Sequence, residues 1–232
     1  MTVLGRESDG SPIIGGLSIT PLPSLGSNWV SAAPTELPLW LQHMDKQFWF
    51  TELPDKSALY IHDRLVLDEK DGQSYAAFFQ EMFKKIEHRR YKTIVLDIRL
   101  SGGGDNTLFE PLKANFESMP EFQNKGQFYV IIGRLTQSAA ENFTTFLERN
   151  TKAIFVVEPT GESPNHYGDP DLLKLPSSGI DINLSRKRWN DSVPGDHRPW
   201  TQPAIAAPLT LDEFRKGRDP ALEAIWDKYH SL

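Results

Sequence analysis

The sequence between residues 93 and 157 alternates short apolar runs with segments of helical periodicity, and this order constrains the fold more than any other feature. Residues 93–99, 128–132 and 153–157 are predicted strands, because each is a short run rich in branched or aromatic side chains. The two segments between them, around residues 108–116 and 139–147, carry apolar side chains at helical spacing. This order predicts a mostly parallel sheet with right-handed crossover connections.

The chain before this alternation falls into two parts. Residues 1–55 are rich in turn-forming glycine and proline, so we expect a loop-rich segment that is the remnant of a preceding domain. Residues 58–61 are a predicted strand, and apolar side chains recur at helical spacing over residues 75–86, behind Ser74. Residues 56–232 are therefore expected to form the core domain.

The chain after the alternation carries two further patterns. Residues 172–185 predict a β-hairpin, because two extended segments flank a Pro-Ser-Ser-Gly turn. Asp219 and Pro220 predict the start of a terminal helix, since aspartate is a favoured cap and proline suits the first helical turn. The predicted fold class is α/β, a mostly parallel sheet with flanking helices and a C-terminal hairpin and helix.

The composition excludes several functional classes. The formal net charge of −6 makes the chain a poor candidate for binding nucleic acid. Cysteine is absent, which excludes a disulfide framework, a thiolate metal site and cysteine catalysis. No uninterrupted apolar run exceeds five residues, whereas a membrane span needs about 20 and the core of an export signal about 7 to 15. The six histidines lack zinc-ligand spacing, so we expect no metal.

One predicted strand ends in a glycine-rich segment that could carry chemistry. It reads Asp-Ile-Arg-Leu-Ser-Gly-Gly-Gly over residues 97–104, and its glycines would let the backbone approach a ligand closely. The glycines are consecutive, which fits neither the phosphate loop nor the dinucleotide fingerprint. A flexible turn at residues 102–104 is the simpler interpretation of this motif taken alone.

A second predicted strand ends in Gly-Arg-Leu-Thr-Gln-Ser-Ala-Ala-Glu, residues 133–141, which places Ser138 between a strand and a helix. A nucleophile in this position would benefit from the helix dipole and from the free N–H groups of the first turn. The alternative is a capping box, in which Ser138 caps the helix and Glu141 bonds back to it.

The two segments are more informative together. In a parallel sheet, ligands bind beyond the carboxyl ends of the strands. If the two strands are neighbours, an N–H of Gly103 or Gly104 and the N–H of Ala139 could converge on a carbonyl oxygen while Ser138 attacks its carbon. A nucleophile with such an oxyanion hole is the minimum required for acyl transfer.

These two motifs, followed by Val-Glu-Pro-Thr-Gly at residues 157–161 and Gly-Arg-Asp-Pro-Ala-Leu-Glu at residues 217–223, resemble the tail-specific, or C-terminal-processing, serine peptidases. The resemblance covers about residues 56–228 in consistent order. It implies the core fold shared with Clp protease and crotonase, and a peptide or small acyl substrate. It also implies that no cofactor is needed and that the protein works outside the cytoplasm, although the sequence shows no export signal.

The resemblance also assigns roles to individual residues. Ser138 matches the nucleophile, and Gly103 or Gly104 together with Ala139 match the oxyanion-hole positions. The sequence departs from the family elsewhere, because residues 160–168 contain no lysine where members carry a catalytic lysine soon after Pro-Thr. The PDZ module usual ahead of the core is also missing, since only about 55 residues precede it.

A serine hydroxyl needs an activating base at neutral pH. His166 is the first candidate, because it lies in the loop that replaces the lysine segment and a neutral imidazole can accept a proton. A structural loop histidine that bonds the backbone is the alternative. Glu141 is the second candidate, and His62 and His197 are weaker ones.

The function predicted from the sequence is a serine hydrolase that cleaves peptide bonds or esters through an acyl-enzyme on Ser138. Two alternatives remain open. One is a non-catalytic ligand- or peptide-binding module on the same fold, which the missing lysine favours. The other is an acyl-CoA enzyme of the crotonase architecture, which the Ser-Ala-Ala-Glu context disfavours because that chemistry needs no serine nucleophile. The sequence makes no prediction of the oligomeric state.

Overall fold

The computed structural model describes residues 2–6, 12–16, 36–70 and 72–229. The chain divides into two compact units, Met1–Ala33 and Pro34–Leu232. In the first unit, β1 (Thr2–Arg6) pairs antiparallel with β2 (Pro12–Gly16). All elements described below belong to the second unit.

The second unit is built on a six-stranded sheet in the order β10-β7-β6-β5-β4-β3. Its strands are β3 (Phe48–Leu53), β4 (Ala58–Asp63), β5 (Thr93–Asp97), β6 (Phe128–Ile132), β7 (Ile154–Val157) and β10 (Ile205–Ala206). Only the β3–β4 pair is antiparallel, and the other four pairs are parallel. The carboxyl ends of β4, β5, β6 and β7 therefore lie at one edge of the sheet.

The helices of this unit, as far as the structure describes it, follow or precede these strands. They are α1 (Tyr75–His88), α2 (Lys113–Ser118), α3 (Pro120–Gln123), α4 (Ala139–Asn150), α5 (Leu211–Arg215) and α6 (Pro220–Tyr229), with 3-10 turns at Leu39–Leu41, Pro54–Lys56 and Asn106–Leu112. A separate two-stranded sheet consists of β8 (Tyr167–Lys174) and β9 (Asp181–Arg188). Ser74 caps α1 by accepting the Ala77 N–H at 3.2 Å, and Asp219 caps α6 by accepting the Ala221 N–H at 3.1 Å.

Apolar side chains cover both faces of the sheet. Along β5, Ile94 and Leu96 belong to the larger core, whereas Val95 belongs to the smaller core on the opposite face, because successive side chains of a strand alternate. The larger core contains a cluster of phenylalanines from the flanking helices, namely Phe79, Phe83, Phe116, Phe122 and Phe143. Burial on both faces explains why the parallel strands are continuous apolar runs in the sequence.

The predicted fold class is confirmed: the protein is α/β, with a mostly parallel sheet, flanking helices, a hairpin and a terminal helix. The expected domain boundary at residue 55 stays a prediction, although the sheet also includes β3, which lies on the amino-terminal side of that boundary. Among the helices in the described ranges, none is long and apolar enough to cross a membrane.

Candidate active site

The turns that follow β5 and β6 are in direct contact. The Gln137 N–H donates to the Ser101 carbonyl at 3.2 Å, and the buried Thr136 hydroxyl donates to the Ile98 carbonyl at 2.8 Å. Gly103 packs against Ser138 so closely that a Cβ added to Gly103 would lie 2.6 Å from the Ser138 Cβ. The φ of Gly103 is +93°, a conformation that a side chain disfavours. The predicted proximity of the two segments is therefore present.

Ser138 has an unusual backbone conformation, with φ +55° and ψ −129°. A non-glycine residue in this region is uncommon and is often found at functional turns. The Ser138 side chain makes no capping hydrogen bond to α4. Glu141 instead accepts the Thr201 hydroxyl at 2.8 Å, so the capping-box interpretation of this motif is wrong.

Unpaired backbone donors lie in the two turns that meet at Ser138. The N–H groups of Gly103, Gly104 and Ala139 have no acceptor among the residues that the structure describes. Ala139 is the first residue of α4, where the helix dipole favours negative charge. A carbonyl oxygen that becomes negatively charged beside these groups would be stabilised.

A cavity of about 470 Å³ opens beside this turn. Gly104, Ser138 and Ala139 line it together with Asn142 of α4. The opposite wall comes from the base of the β8–β9 hairpin, and the rim comes from the segment after Gly104. The remaining lining residues are Leu67, Asp105, Asn106, Thr107, Asp169, Lys187 and Trp189.

His166 is buried near this cavity but does not bond the serine. Its Nδ1 lies 3.0 Å from the Ser163 carbonyl oxygen, which can only accept, so Nδ1 carries a proton and donates it. Its Nε2 has no hydrogen-bond partner and lies 3.8 Å from the Glu162 Oε2. The direct hydrogen bond between His166 and Ser138 is therefore not formed in this structure.

Glu162 occupies the position between these two residues. Its Oε2 accepts the backbone N–H of Ser138 at 2.5 Å. The loop that carries Glu162 is held against the turn after β6, because the Gly161 N–H donates to the Thr136 carbonyl at 3.0 Å. The two segments approach so closely that a Cβ on Gly161 would lie 2.2 Å from the Arg134 carbonyl oxygen. Sequence reasoning did not single out Glu162, although it lies in the loop that lacks the expected lysine.

The other candidate bases do not bond the Ser138 side chain either, within the part of the chain that the structure describes. Glu141 is fully buried, and burial raises the pKa of its carboxyl to about 8. The hydrogen bond from Thr201 acts in the opposite direction and lowers this pKa, but burial has the larger effect. His62 is buried beside Tyr60 on β4, and burial lowers its pKa. His197 is exposed. Among residues 36–70 and 72–228, no group of three or more histidine, aspartate or glutamate side chains is placed to hold a metal ion.

A buried charge network connects the first and last motifs of the sequence. Arg99 donates from Nε to Asp97 at 3.0 Å, and both of its terminal nitrogens donate to Asp219, at 3.0 and 2.9 Å. Tyr60 donates its hydroxyl proton to Asp97 at 2.6 Å. Burial acts to raise the pKa of Asp97, but the Arg99 charge and these hydrogen bonds hold it below its usual value. The network attaches the start of α6 to the end of β5.

The sheet and the two contacting turns at its edge define a class, the α/β proteins with a mostly parallel sheet and flanking helices. No family model matches the sequence, and no curated protein is significantly similar to it. Solved peptidase structures do share its fold. A Bacteroides fragilis protein described as an S41 protease is 13% identical over 100% of this chain and 66% of its own, with a TM-score of 0.54.

Two further structures give the same result. A peptidase structure from Parabacteroides merdae is 16% identical over 78% of this chain and 64% of its own, with a TM-score of 0.54. Mature CPAF is 12% identical over 100% of this chain and 66% of its own, with a TM-score of 0.55. These likenesses show the fold, and the predicted resemblance to this class of peptidases is confirmed at that level. The chain spans about two thirds of the length of these proteins.

Proposed function

We propose that this protein is a serine hydrolase of the tail-specific peptidase type, which cleaves peptide bonds or esters through an acyl-enzyme on Ser138. The observation that carries the proposal is the position of Ser138, whose positive-φ backbone packs against Gly103 and borders a cavity shared with Gly104 and Ala139. Sharp strand-to-helix turns of this kind expose a serine hydroxyl at the edge of a sheet.

The proposed reaction follows from these groups. The Ser138 Oγ attacks the substrate carbonyl carbon, and its proton passes to a base. The carbonyl oxygen gains the negative charge, which the N–H groups of Ala139 and of Gly103 or Gly104 stabilise. The base then protonates the leaving group as the acyl-enzyme forms, and water releases the acyl group by the same steps.

We assign the base to His166, acting through one water molecule. The Ser163 carbonyl holds the Nδ1 proton of His166, and this bond supports the tautomer in which Nε2 is free to accept a proton. Glu162 is assigned as a positioning residue. It fixes the Ser138 backbone through the N–H, and its carboxylate would stabilise the imidazolium that forms 3.8 Å away.

A non-catalytic binding module is the second candidate function. The observation that favours it is the absence of a hydrogen bond from His166 Nε2, which leaves Ser138 without a bonded base. In this alternative the same cavity binds a peptide or a small acyl compound without cleaving it.

A fluorophosphonate probe distinguishes the two functions, because it reacts covalently only with an activated serine. We expect the native protein to gain one probe adduct, which peptide mass spectrometry would locate at Ser138. Ser138→Ala should abolish the adduct, while Ser118→Ala, which alters a serine on α2 outside the residues lining the cavity, should leave it unchanged. A folded native protein that gains no adduct would support the binding module instead.

A further inference from the structure

The β8–β9 hairpin is an exposed arm of the molecule. Within the described residues its strands pair only with each other, and every residue of β9 is exposed. Several large apolar side chains of the arm are exposed as well, namely Leu172, Leu173, Ile182 and Leu184. A lone two-stranded hairpin is marginally stable in water, whereas three or more strands with an apolar face are stable. The arm therefore has the properties of an incomplete sheet.

The two outer edges of the arm differ. In β8, Pro170 has no N–H to donate, and Asp169 adopts a φ of +50° that interrupts the extended backbone. Natural proteins protect edge strands with such features. In β9, neither proline nor glycine interrupts the eight residues, and no residue has a positive φ. The outer edge of β9 is thus the one that can accept another strand.

The backbone of β9 presents donors to that outer edge. The Leu175 N–H donates to the Ile180 carbonyl at 2.8 Å, which makes these two residues a bonded pair. Bonded and non-bonded pairs alternate along antiparallel strands. In the register of the arm, Asn183 lies opposite Leu172 in a non-bonded pair. The N–H and C=O of Asn183 consequently point away from β8.

The side chains of β9 are arranged to match a second copy of the same strand. Asp181 lies at one end, and Arg186, Lys187 and Arg188 lie at the other. Ile182 and Leu184 lie between them on one face, because residues two apart share a face. The charged side chains already have partners within the arm, since Asp181 pairs with Lys174, Arg186 with Asp171 and Lys187 with Asp169. When two copies run antiparallel around Asn183, Ile182 of each copy lies opposite Leu184 of the other, so the apolar side chains of both lie together.

We propose that two copies of this protein associate by antiparallel pairing of their β9 strands, around a two-fold axis near Asn183. The product is a continuous four-stranded sheet with the strand order β8, β9, partner β9 and partner β8. A two-fold contact uses the same surface on both copies, which the reciprocal contacts of Ile182 and Leu184 satisfy. The pairing does not depend on the catalytic proposal, since Ser138, His166, Glu162 and the glycine turn all lie outside β9.

Sedimentation equilibrium of the full chain tests the proposal. We expect a mass twice the 26.3 kDa of one chain at micromolar concentration. Asn183→Pro should weaken dimerisation by about tenfold or more, because the substitution removes the outward N–H donor from both copies at the two-fold axis. Asn183→Thr, which keeps the N–H, is the matched control and should remain dimeric. A native protein that stays monomeric up to about 100 µM, or an Asn183→Pro protein that dimerises normally, would overturn the proposal.

A second pair of variants covers the case in which proline prevents the arm from forming. Leu184 and Leu172 are both exposed, at 59% and 67%, but they lie on opposite faces and on different strands. Leu184→Asp should weaken the dimer, because two carboxylates would approach across the axis, and Leu172→Asp should not. Equal effects of the two substitutions, or no effect of Leu184→Asp, would contradict the proposed contact.

Discussion

Gly102 and Gly103 are neighbours in one turn, but their surroundings differ sharply. A Cβ on Gly102 would meet nothing within 4 Å, whereas a Cβ on Gly103 would lie 2.8 Å from the Gln137 carbonyl oxygen and 2.9 Å from the Ala139 nitrogen. The absence of a side chain on Gly103 is what lets its backbone lie against Ser138 and Ala139, where the proposed oxyanion hole lies. The two glycines therefore provide a matched pair of substitution sites.

We predict that Gly103→Ala slows fluorophosphonate labelling of Ser138 by about 100- to 1,000-fold, which is the usual loss when one oxyanion donor is misplaced. Gly102→Ala should label at close to the native rate. The rates are measured under pseudo-first-order conditions on proteins with native circular dichroism. Equal rates for the two variants would show that the Gly103 backbone has no part in the reaction.

Glu162 accepts the Ser138 N–H and also places a negative charge near His166. Two substitutions separate these effects. Glu162→Gln keeps an oxygen that can accept the Ser138 N–H but removes the charge near His166. We predict that it slows ester hydrolysis by about 10- to 100-fold, which corresponds to about 1.5–3 kcal/mol for an interaction with a charged group. Glu162→Ala, which also loses the acceptor, should be slower still. If Glu162→Ala retained the native rate, the carboxylate would have no positioning role.

Glu141 makes stability depend on pH. Its folded pKa is about 8, raised by burial from the ordinary value of 4.5, so the folded protein binds an extra proton between these two values. The stability that this proton contributes is complete below pH 4.5 and is lost as the pH rises through 8. We predict that the melting temperature falls more steeply between pH 6 and pH 9 in the native protein than in Glu141→Gln. Parallel melting curves would contradict the assignment.

At the scale of elements, the Arg99–Asp219 pair holds α6 against the sheet. Both side chains are about nine-tenths buried, and Asp219 also caps α6. Asp219→Asn keeps the cap oxygen but removes the charge opposite Arg99. We predict a loss of about 1.5–3 kcal/mol in the free energy of unfolding, measured by urea denaturation.

The control for this prediction is an exposed ion pair. Glu110 contacts Lys113 at 2.6 Å on the surface of the turn before α2. Glu110→Gln should cost less than about 1 kcal/mol, because exposed pairs are screened by water. Similar losses for the two variants would mean that burial of the Arg99 network contributes nothing.

The sequence predicted the central strands and helices well for a physical reason. Buried parallel strands are continuous apolar runs, and α1 and α4 have clear amphipathic periodicity, so local pattern and final structure agree. Strand β10 was not predicted, because its two residues form a strand only by pairing with β7. Strand β3 was not predicted either, since its consecutive aromatic residues show none of the alternation that is typical of a strand.

The candidate site was predictable only in part. The contact between Gly103 and Ser138 follows from strand order, because adjacent parallel strands end at the same edge. The capping box failed because the Ser138 backbone turns away from cap geometry and buried Thr201 takes the Glu141 carboxyl. The role of Glu162 depends on how its loop folds back onto the start of α4. This tertiary contact cannot be predicted from a local sequence pattern. The catalytic assignments to Ser138, His166, Gly103, Gly104 and Ala139 stay predictions until the labelling experiments are done.

At the scale of the whole molecule, the β8–β9 arm connects the proposed dimer contact to the cavity beside Ser138. Its tip carries the proposed dimer contact, and its base supplies Asp169 and Lys187 to the wall of the cavity. Lys187 lies 3.3 Å above the Trp189 ring centroid, which ties the base of the arm to the cavity wall. Dimerisation would order the arm along its length. We predict that Asn183→Pro raises the KM for a peptide substrate more than it lowers kcat, as measured by steady-state kinetics, because the variant loosens the wall without touching Ser138.

The contact between Gly103 and Ser138 has a consequence for the timing of activity in a refolding chain. Neither turn alone makes a reactive centre, and the two meet only when β5 and β6 pair, which is a non-local event and therefore slow. We therefore expect a chain that has formed its helices but not its sheet to be unreactive towards the probe. Fluorophosphonate pulses during refolding should thus label Ser138 only after the helical signal is complete. Under the proposed function, the fold thus delays hydrolysis until β5 and β6 have paired.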